Sequence, residues 1–251
     1  MAKVKKDVFS VLKVSIKICF AIASVFSVAL ASASNFKVSE EGEVLYFKAL
    51  PYLEKVDELT SNLYIARDQL PINEKFPPQK KQQYKDEVQV LLKEGMPLLK
   101  RSAEAGNPAA QYRLAFMASS NQLSKEEACT LLKSSLSNGF TPAGLQMFFI
   151  CSDETKTPGF RSLIEALPKN ETIYKKYYPQ PTMLPTCDIF SDRQSLFTIV
   201  SLDERNFRAN LYMRLSAQMS PPNLKQEQLR YLNKAAENGC AEAIMWINAK
   251  R

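Results

Sequence analysis

Three glycines restrict the architecture that this chain can adopt. Gly106, Gly139 and Gly239 each follow a segment with apolar residues at helical spacing, and each precedes a short segment rich in small residues. A glycine at the end of a helix favours a tight turn, after which a second helix can return along the first. The sequence therefore predicts three helical hairpins, near residues 96–118, 124–151 and 224–251.

Aligning the three glycines places residues of the same kind in the same columns. A leucine stands seven residues before each glycine and an alanine four residues after it: Leu99, Leu132, Leu232, Ala110, Ala143 and Ala243. The first two glycines are 33 residues apart and the third lies 100 residues further on. Hairpins stack because each one alone would leave an apolar face in water. The predicted fold is all-α, a short α/α superhelix of stacked antiparallel hairpins over residues 34–251, with an insert at residues 152–200.

The runs Ala103–Leu114 and Ala235–Ile247 resemble the Sel-1-like repeat, a relative of the tetratricopeptide repeat. The signature of that repeat is an Ala-Ala-Glu-x-Gly turn followed by Ala-x-x-x-Leu. The resemblance implies a solenoid that binds other proteins. Exported bacterial proteins of this kind include adaptors of envelope complexes and immunity proteins that neutralise secreted effectors such as lipases. Other similar proteins are linked to cell-wall or β-lactam binding, so the alternative function is an envelope hydrolase acting on peptidoglycan or β-lactams.

The first 33 residues have the pattern of a secretory signal peptide. A lysine-rich start is followed by an apolar run, Ile18–Leu30, and by the cleavage sequence Ala31-Ser32-Ala33. We expect cleavage before Ser34, with an uncleaved anchor as the alternative. The apolar run is short for a membrane span, which needs about 20 residues. The mature protein is therefore expected to be periplasmic or secreted, with no stable membrane span.

Composition argues against nucleic-acid binding and against catalysis. Removal of the signal peptide takes away five lysines and one aspartate, which lowers the net charge from +7 to +3. The chain has no histidine, so histidine-dependent triads and most zinc sites are excluded. Its seven glycines are not clustered, so a phosphate-binding loop is not expected. We predict a protein that is not an enzyme, uses no cofactor or metal and binds a protein partner.

Four cysteines remain once the signal peptide with Cys19 is removed, and they allow three disulfide connectivities. Cys129 lies ten residues before Gly139 and Cys151 twelve residues after it, so antiparallel helices bring the two to similar heights. We therefore predict a Cys129–Cys151 bond, which leaves Cys187 and Cys240 for the second. Buried free thiols are the alternative.

The insert contains the candidate residues for partner binding. Tyr174, Lys175, Tyr177 and Tyr178 interleave aromatic rings with positive charge and are followed by prolines. Tyrosine offers a large contact area and a polar group, and inserted loops often carry function. The alternative is that these tyrosines cover the core of the repeats while the prolines cross its surface.

Two further signals concern the starts of helices. Ser124 and Ser201 each begin a sequence typical of a capping box, so a helix is expected to follow each of them. The β-branched run Leu196–Val200 lies just before the second box. Because a single strand has no partner, we predict helix or loop for this run.

Overall fold

The computed structural model describes residues 38–71, 74–118, 123–168, 174–183, 185–187, 199–219 and 224–249. The predicted signal peptide lies outside these residues. Within them the chain forms nine α-helices: α1 (Glu40–Asp68), α2 (Pro78–Glu104), α3 (Pro108–Phe116), α4 (Lys125–Ser137), α5 (Thr141–Ile150), α6 (Pro158–Glu165), α7 (Glu204–Gln218), α8 (Lys225–Glu237) and α9 (Ala241–Ala249). The predicted all-α class is confirmed. None of the described helices combines the length and the apolar character that a membrane span requires.

The three glycines end three helices with the same turn. Gly106, Gly139 and Gly239 have φ angles of 84°, 82° and 92°. In each turn the glycine amide donates to the carbonyl three residues earlier, and the next amide donates to the carbonyl five residues earlier. This pair of bonds is the Schellman motif, which supplies partners for the last carbonyls of a helix. The hairpins predicted from the sequence are therefore α2/α3, α4/α5 and α8/α9.

The left-handed backbone at Gly106 leads to a test of this turn. A Cβ atom at Gly106 would meet no atom within 4 Å, so only the backbone conformation opposes a side chain there. We expect Gly106→Ala to lower the free energy of unfolding by about 1 kcal/mol, as measured by urea denaturation. The matched control is Gly159→Ala in α6, where the backbone is not left-handed and the change should be neutral or slightly stabilising. Equal stability of the two variants would contradict this account of the turn.

Successive helices pack side by side along the chain. The packed pairs are α1 with α2, α2 with α3, α3 with α4, α4 with α5, α5 with α7, α7 with α8, and α8 with α9. A serine contact recurs in two of these pairs: Ser102 Oγ donates to the carbonyl of Gly42 and Ser135 Oγ donates to that of Pro108. The α1–α2 and α3–α4 interfaces are therefore built alike. Stacking into a regular superhelix stays a prediction.

The insert begins with a helix at the repeat spacing, although the sequence analysis found no repeat there. Helix α6 begins 33 residues after α4, and its N-cap, Thr157, lies 33 residues after Ser124. Ser124 forms the predicted capping box with Glu127. The signal was missed because α6 spans only 8 residues and no turn glycine follows it.

A small antiparallel sheet corrects the prediction made for Leu196–Val200. Val200–Leu202 forms strand β2, which pairs with strand β1 (Gln180–Thr182), and Gln180 lies opposite Leu202. Residues 196–198 lie outside the described ranges. The partner strand was overlooked because it lies in a segment interrupted by prolines. Helix α7 then begins at Glu204 with Asp203, rather than Ser201, as its N-cap.

Both disulfides form with the predicted pairing. Cys129–Cys151 joins α4 to the end of α5, with a Cα–Cα distance of 5.7 Å. Cys187–Cys240 joins the insert to the residue before α9, at 4.8 Å. Each bond removes conformational entropy from the unfolded chain, worth about 3–4 kcal/mol for loops of this size.

Candidate interaction surface

The tyrosines of the insert lie inside the protein. Tyr174 and Tyr177 are each 3% exposed, and the hydroxyl of Tyr178 is buried. Of the four candidate residues, only Lys175 presents its side chain fully to solvent. In this structure the rings of Tyr174 and Tyr177 therefore offer no surface to a partner, which corrects their assignment as contact residues. The burial favours the alternative, in which the tyrosines cover the helices.

The rings of the insert join three parts of the helical array. Tyr177 stacks on Phe47 of α1, with centroids 5.6 Å apart. Tyr174 meets Phe140, the residue before α5, edge to face at 5.5 Å. Tyr178 contacts Phe140 at 5.6 Å and Phe207 of α7 at 6.3 Å. Aromatic pairs of this kind add about 0.5–1.5 kcal/mol each to the burial of their area.

The hydroxyl groups of these tyrosines have partners in the fold. Tyr174 donates to the carbonyl of Asn138, in the turn between α4 and α5. Tyr177 donates to Glu43 at 3.2 Å and accepts from the Asn107 side chain at 3.4 Å. Burial raises the pKa of Tyr174 to about 12 and also raises the pKa of Tyr177. Both hydroxyls are therefore neutral near pH 7 and serve as structural hydrogen-bonding groups.

The insert continues across the same helices after the tyrosines. Gln180 donates to the hydroxyl of Tyr46 in α1 at 2.7 Å, and Tyr112 of α3 donates to the carbonyl of Pro181. The side chain of Asn210 in α7 accepts from the amide of Cys187 at 2.9 Å. The insert therefore covers side chains that α1, α3 and α7 present, and this face is closed by the chain itself.

Two ion pairs are buried near the insert. Arg113 of α3 is 1% exposed and its Nη1 lies 2.7 Å from Oδ2 of Asp57 in α1. Burial raises the pKa of Asp57 by more than the Arg113 charge lowers it. Arg208 and Glu204 of α7 pair at 2.5 Å with side chains that are 9% exposed. Each of these carboxylates is held by a guanidinium inside the fold, so structural pairing explains their positions.

The largest apolar side chains left exposed by α9 are consecutive. Ile244, Met245 and Trp246 are 45%, 48% and 47% exposed. Successive helical residues point about 100° apart, so these three side chains cover more than half of the circumference of the helix. Phe149, at the end of α5, is a further exposed apolar residue at 37%.

Arg214 of α7 connects Phe149 to α9. Its guanidinium lies over the Phe149 ring, 5.1 Å from the centroid. Glu242 attracts Arg214, and the Trp246 indole hydrogen-bonds to the Glu242 side chain. Burial lowers the pKa of Arg214 and raises that of Glu242. We name Phe149, Arg214, Ile244, Met245 and Trp246 the terminal surface.

The exposed residues of α9 occupy columns that are buried in the other two hairpins. Met245 stands six residues after its glycine, where the first two hairpins have Tyr112 and Leu145, which are 0% and 1% exposed. In those hairpins the next helix follows, since α4 packs on α3 and α7 packs on α5. No described helix follows α9 in the chain. Terminal repeats normally carry a polar outer face, and this one is apolar.

A second open surface is an apolar groove between α2 and α4. It has a volume of about 480 Å³. Its apolar lining comes from Ala103, Leu114, Leu123 and Leu131, and its charged rim from Lys100, Glu104, Glu126 and Glu127. The capping box engages Glu127 in this rim. In the described part of the chain, no group of three or more histidine, cysteine or acidic residues could hold a metal ion.

No family model, curated protein or solved structure matches this chain. The resemblance to Sel-1-like repeats therefore stays a prediction. The structure itself defines the class as an all-α protein with three alike helical hairpins. The sequence analysis missed the terminal surface, although one signal was available: Ile244 and Met245 are large apolar residues in columns that a last hairpin has no helix to cover.

Proposed function

We propose that this protein is an exported helical scaffold that binds another protein. The observation that supports this most is the terminal surface. It combines tryptophan, phenylalanine and arginine with two flexible or branched aliphatic side chains, and residues of these types dominate the energy of protein interfaces. Exposed apolar patches at the end of a repeat array are otherwise an aggregation hazard.

The two disulfides support the exported part of the proposal. Such bonds persist in the periplasm and outside the cell, where thiols are oxidised. The predicted signal peptide agrees with this location. As the more specific proposal, the partner is a secreted toxic effector such as a lipase, which makes this protein its immunity protein. A resident envelope complex is the other candidate partner, and both rest on the resemblance to exported repeat proteins.

The proposal is tested by affinity capture from the organism's own envelope fraction. We expect the tagged mature protein to retain one stoichiometric partner, identified by mass spectrometry. The variant Trp246→Ala should weaken binding to the isolated partner about 30-fold, the effect of a residue worth 2 kcal/mol at an interface. Calorimetric titration measures this change.

A matched control separates the surface from general effects of truncation. Val90 of α2 is 66% exposed and lies outside the terminal surface, so Val90→Ala should bind like the unmodified protein. Circular dichroism should show the same helical content for both variants. Absence of any stoichiometric partner would contradict the proposed function.

A further inference from the structure

We infer that the partner covers the terminal surface with an α-helix, docked as α4 docks on α3. This inference rests on the proposed function and names the form of the partner. The chain already contains the interface that would be repeated. Helix α3 has 9 residues and is covered by the 13-residue helix α4. Helix α9 also has 9 residues and follows the same glycine turn.

The repeated interface defines the chemistry of the covering helix. In the chain, a serine of the covering helix donates to a carbonyl in the first turn of the helix below, as Ser135 does to Pro108 and Ser102 does to Gly42. Ala241 stands two residues after Gly239, as Pro108 stands two residues after Gly106. The partner helix should therefore place a serine, threonine or other small residue over Ala241. Its apolar residues should recur at positions i, i+3 or i+4, and i+7, to cover Ile244 and Met245.

The partner is a different protein rather than a second copy of this chain. The helices that cover others here, α2, α4 and α7, are already packed on neighbours within the chain. A second copy would bring α9 against α9, and each α9 presents large side chains where the covering helices present Ser102 and Ser135. Small residues let two helices approach closely, and two rows of large side chains do not.

Site-specific photo-crosslinking tests this inference in the full chain. The photoreactive amino acid p-benzoylphenylalanine replaces residue 244, 245 or 246, one at a time, in the organism's own cells. Reference probes replace Lys175 in the insert and Leu131 in the groove between α2 and α4. We expect the three α9 probes to link to one segment of one partner, with at least tenfold higher yield than the two reference probes. The linked residues should be three, four or seven positions apart.

Each other outcome decides a different question. Linked residues two positions apart would show an extended segment and overturn the helical form. Crosslinks to a second copy of this chain would overturn the choice of a different protein. Capture of a partner by a reference probe, with none at residues 244–246, would overturn this surface and leave the proposed function standing. No capture by any of the five probes would contradict both.

Discussion

Replacing Tyr177 by alanine should destabilise the protein by about 3–5 kcal/mol, the cost of removing a buried aromatic ring. The ring is 3% exposed, stacks on Phe47 and meets Tyr46 edge to face at 5.3 Å. Truncation leaves a cavity between α1 and the insert. Urea denaturation followed by circular dichroism measures the loss.

Two control variants separate the contribution of the ring from those of its neighbours. Tyr177→Phe keeps the ring and removes only the hydrogen bonds to Glu43 and Asn107, so it should cost about 1 kcal/mol. Lys175→Ala changes an exposed side chain and should leave stability unchanged. If Tyr177→Ala were as stable as Lys175→Ala, the insert would not be part of the core, and its tyrosines would again be candidates for partner binding.

Replacing Asp57 by alanine should lower the free energy of unfolding by about 3–5 kcal/mol, because it leaves a buried charge without its partner. Arg113 is 1% exposed, and its Nε and Nη2 atoms have no protein hydrogen-bond partner in the described residues. Asp57 therefore supplies the charge that compensates this guanidinium. The same urea denaturation experiment measures the loss.

A surface pair and a double variant serve as controls. Lys55 and Glu58 pair at 2.8 Å with side chains that are 50% and 55% exposed. Lys55→Ala should therefore cost less than about 0.5 kcal/mol. The double variant Asp57→Leu/Arg113→Met removes both charges and should recover most of the lost stability. A cost for Asp57→Ala no larger than that of Lys55→Ala would show that the buried pair does not stabilise the fold.

Features that depend on neighbouring residues could be predicted from the sequence. The turns at Gly106, Gly139 and Gly239 need a residue that tolerates left-handed backbone, and the surrounding apolar spacing identifies the helices on both sides. The pairing of Cys129 with Cys151 follows from the length of the hairpin that separates them. The fold class and both disulfides therefore followed from local patterns.

Features that depend on distant residues could not be predicted in the same way. Strand β2 was assigned to helix or loop because its partner, β1, lies about twenty residues earlier in a proline-rich segment. The tyrosines of the insert had the composition of an interaction loop, and composition does not show which side of the chain faces the core. Asp57 and Arg113 lie 56 residues apart, and no spacing rule connects them.

The terminal surface shows where this division falls. The sequence by itself determined the helical hairpins, their common turn and the cross-links, because backbone conformation and short-range spacing are properties of adjacent residues. Only the tertiary structure decided that the insert closes one face of α1, α3 and α7 while Ile244, Met245 and Trp246 stay open. The physical reason is that burial is set by what packs against a residue, and the same column of the repeat is buried in one hairpin and exposed in another according to whether a further helix follows it.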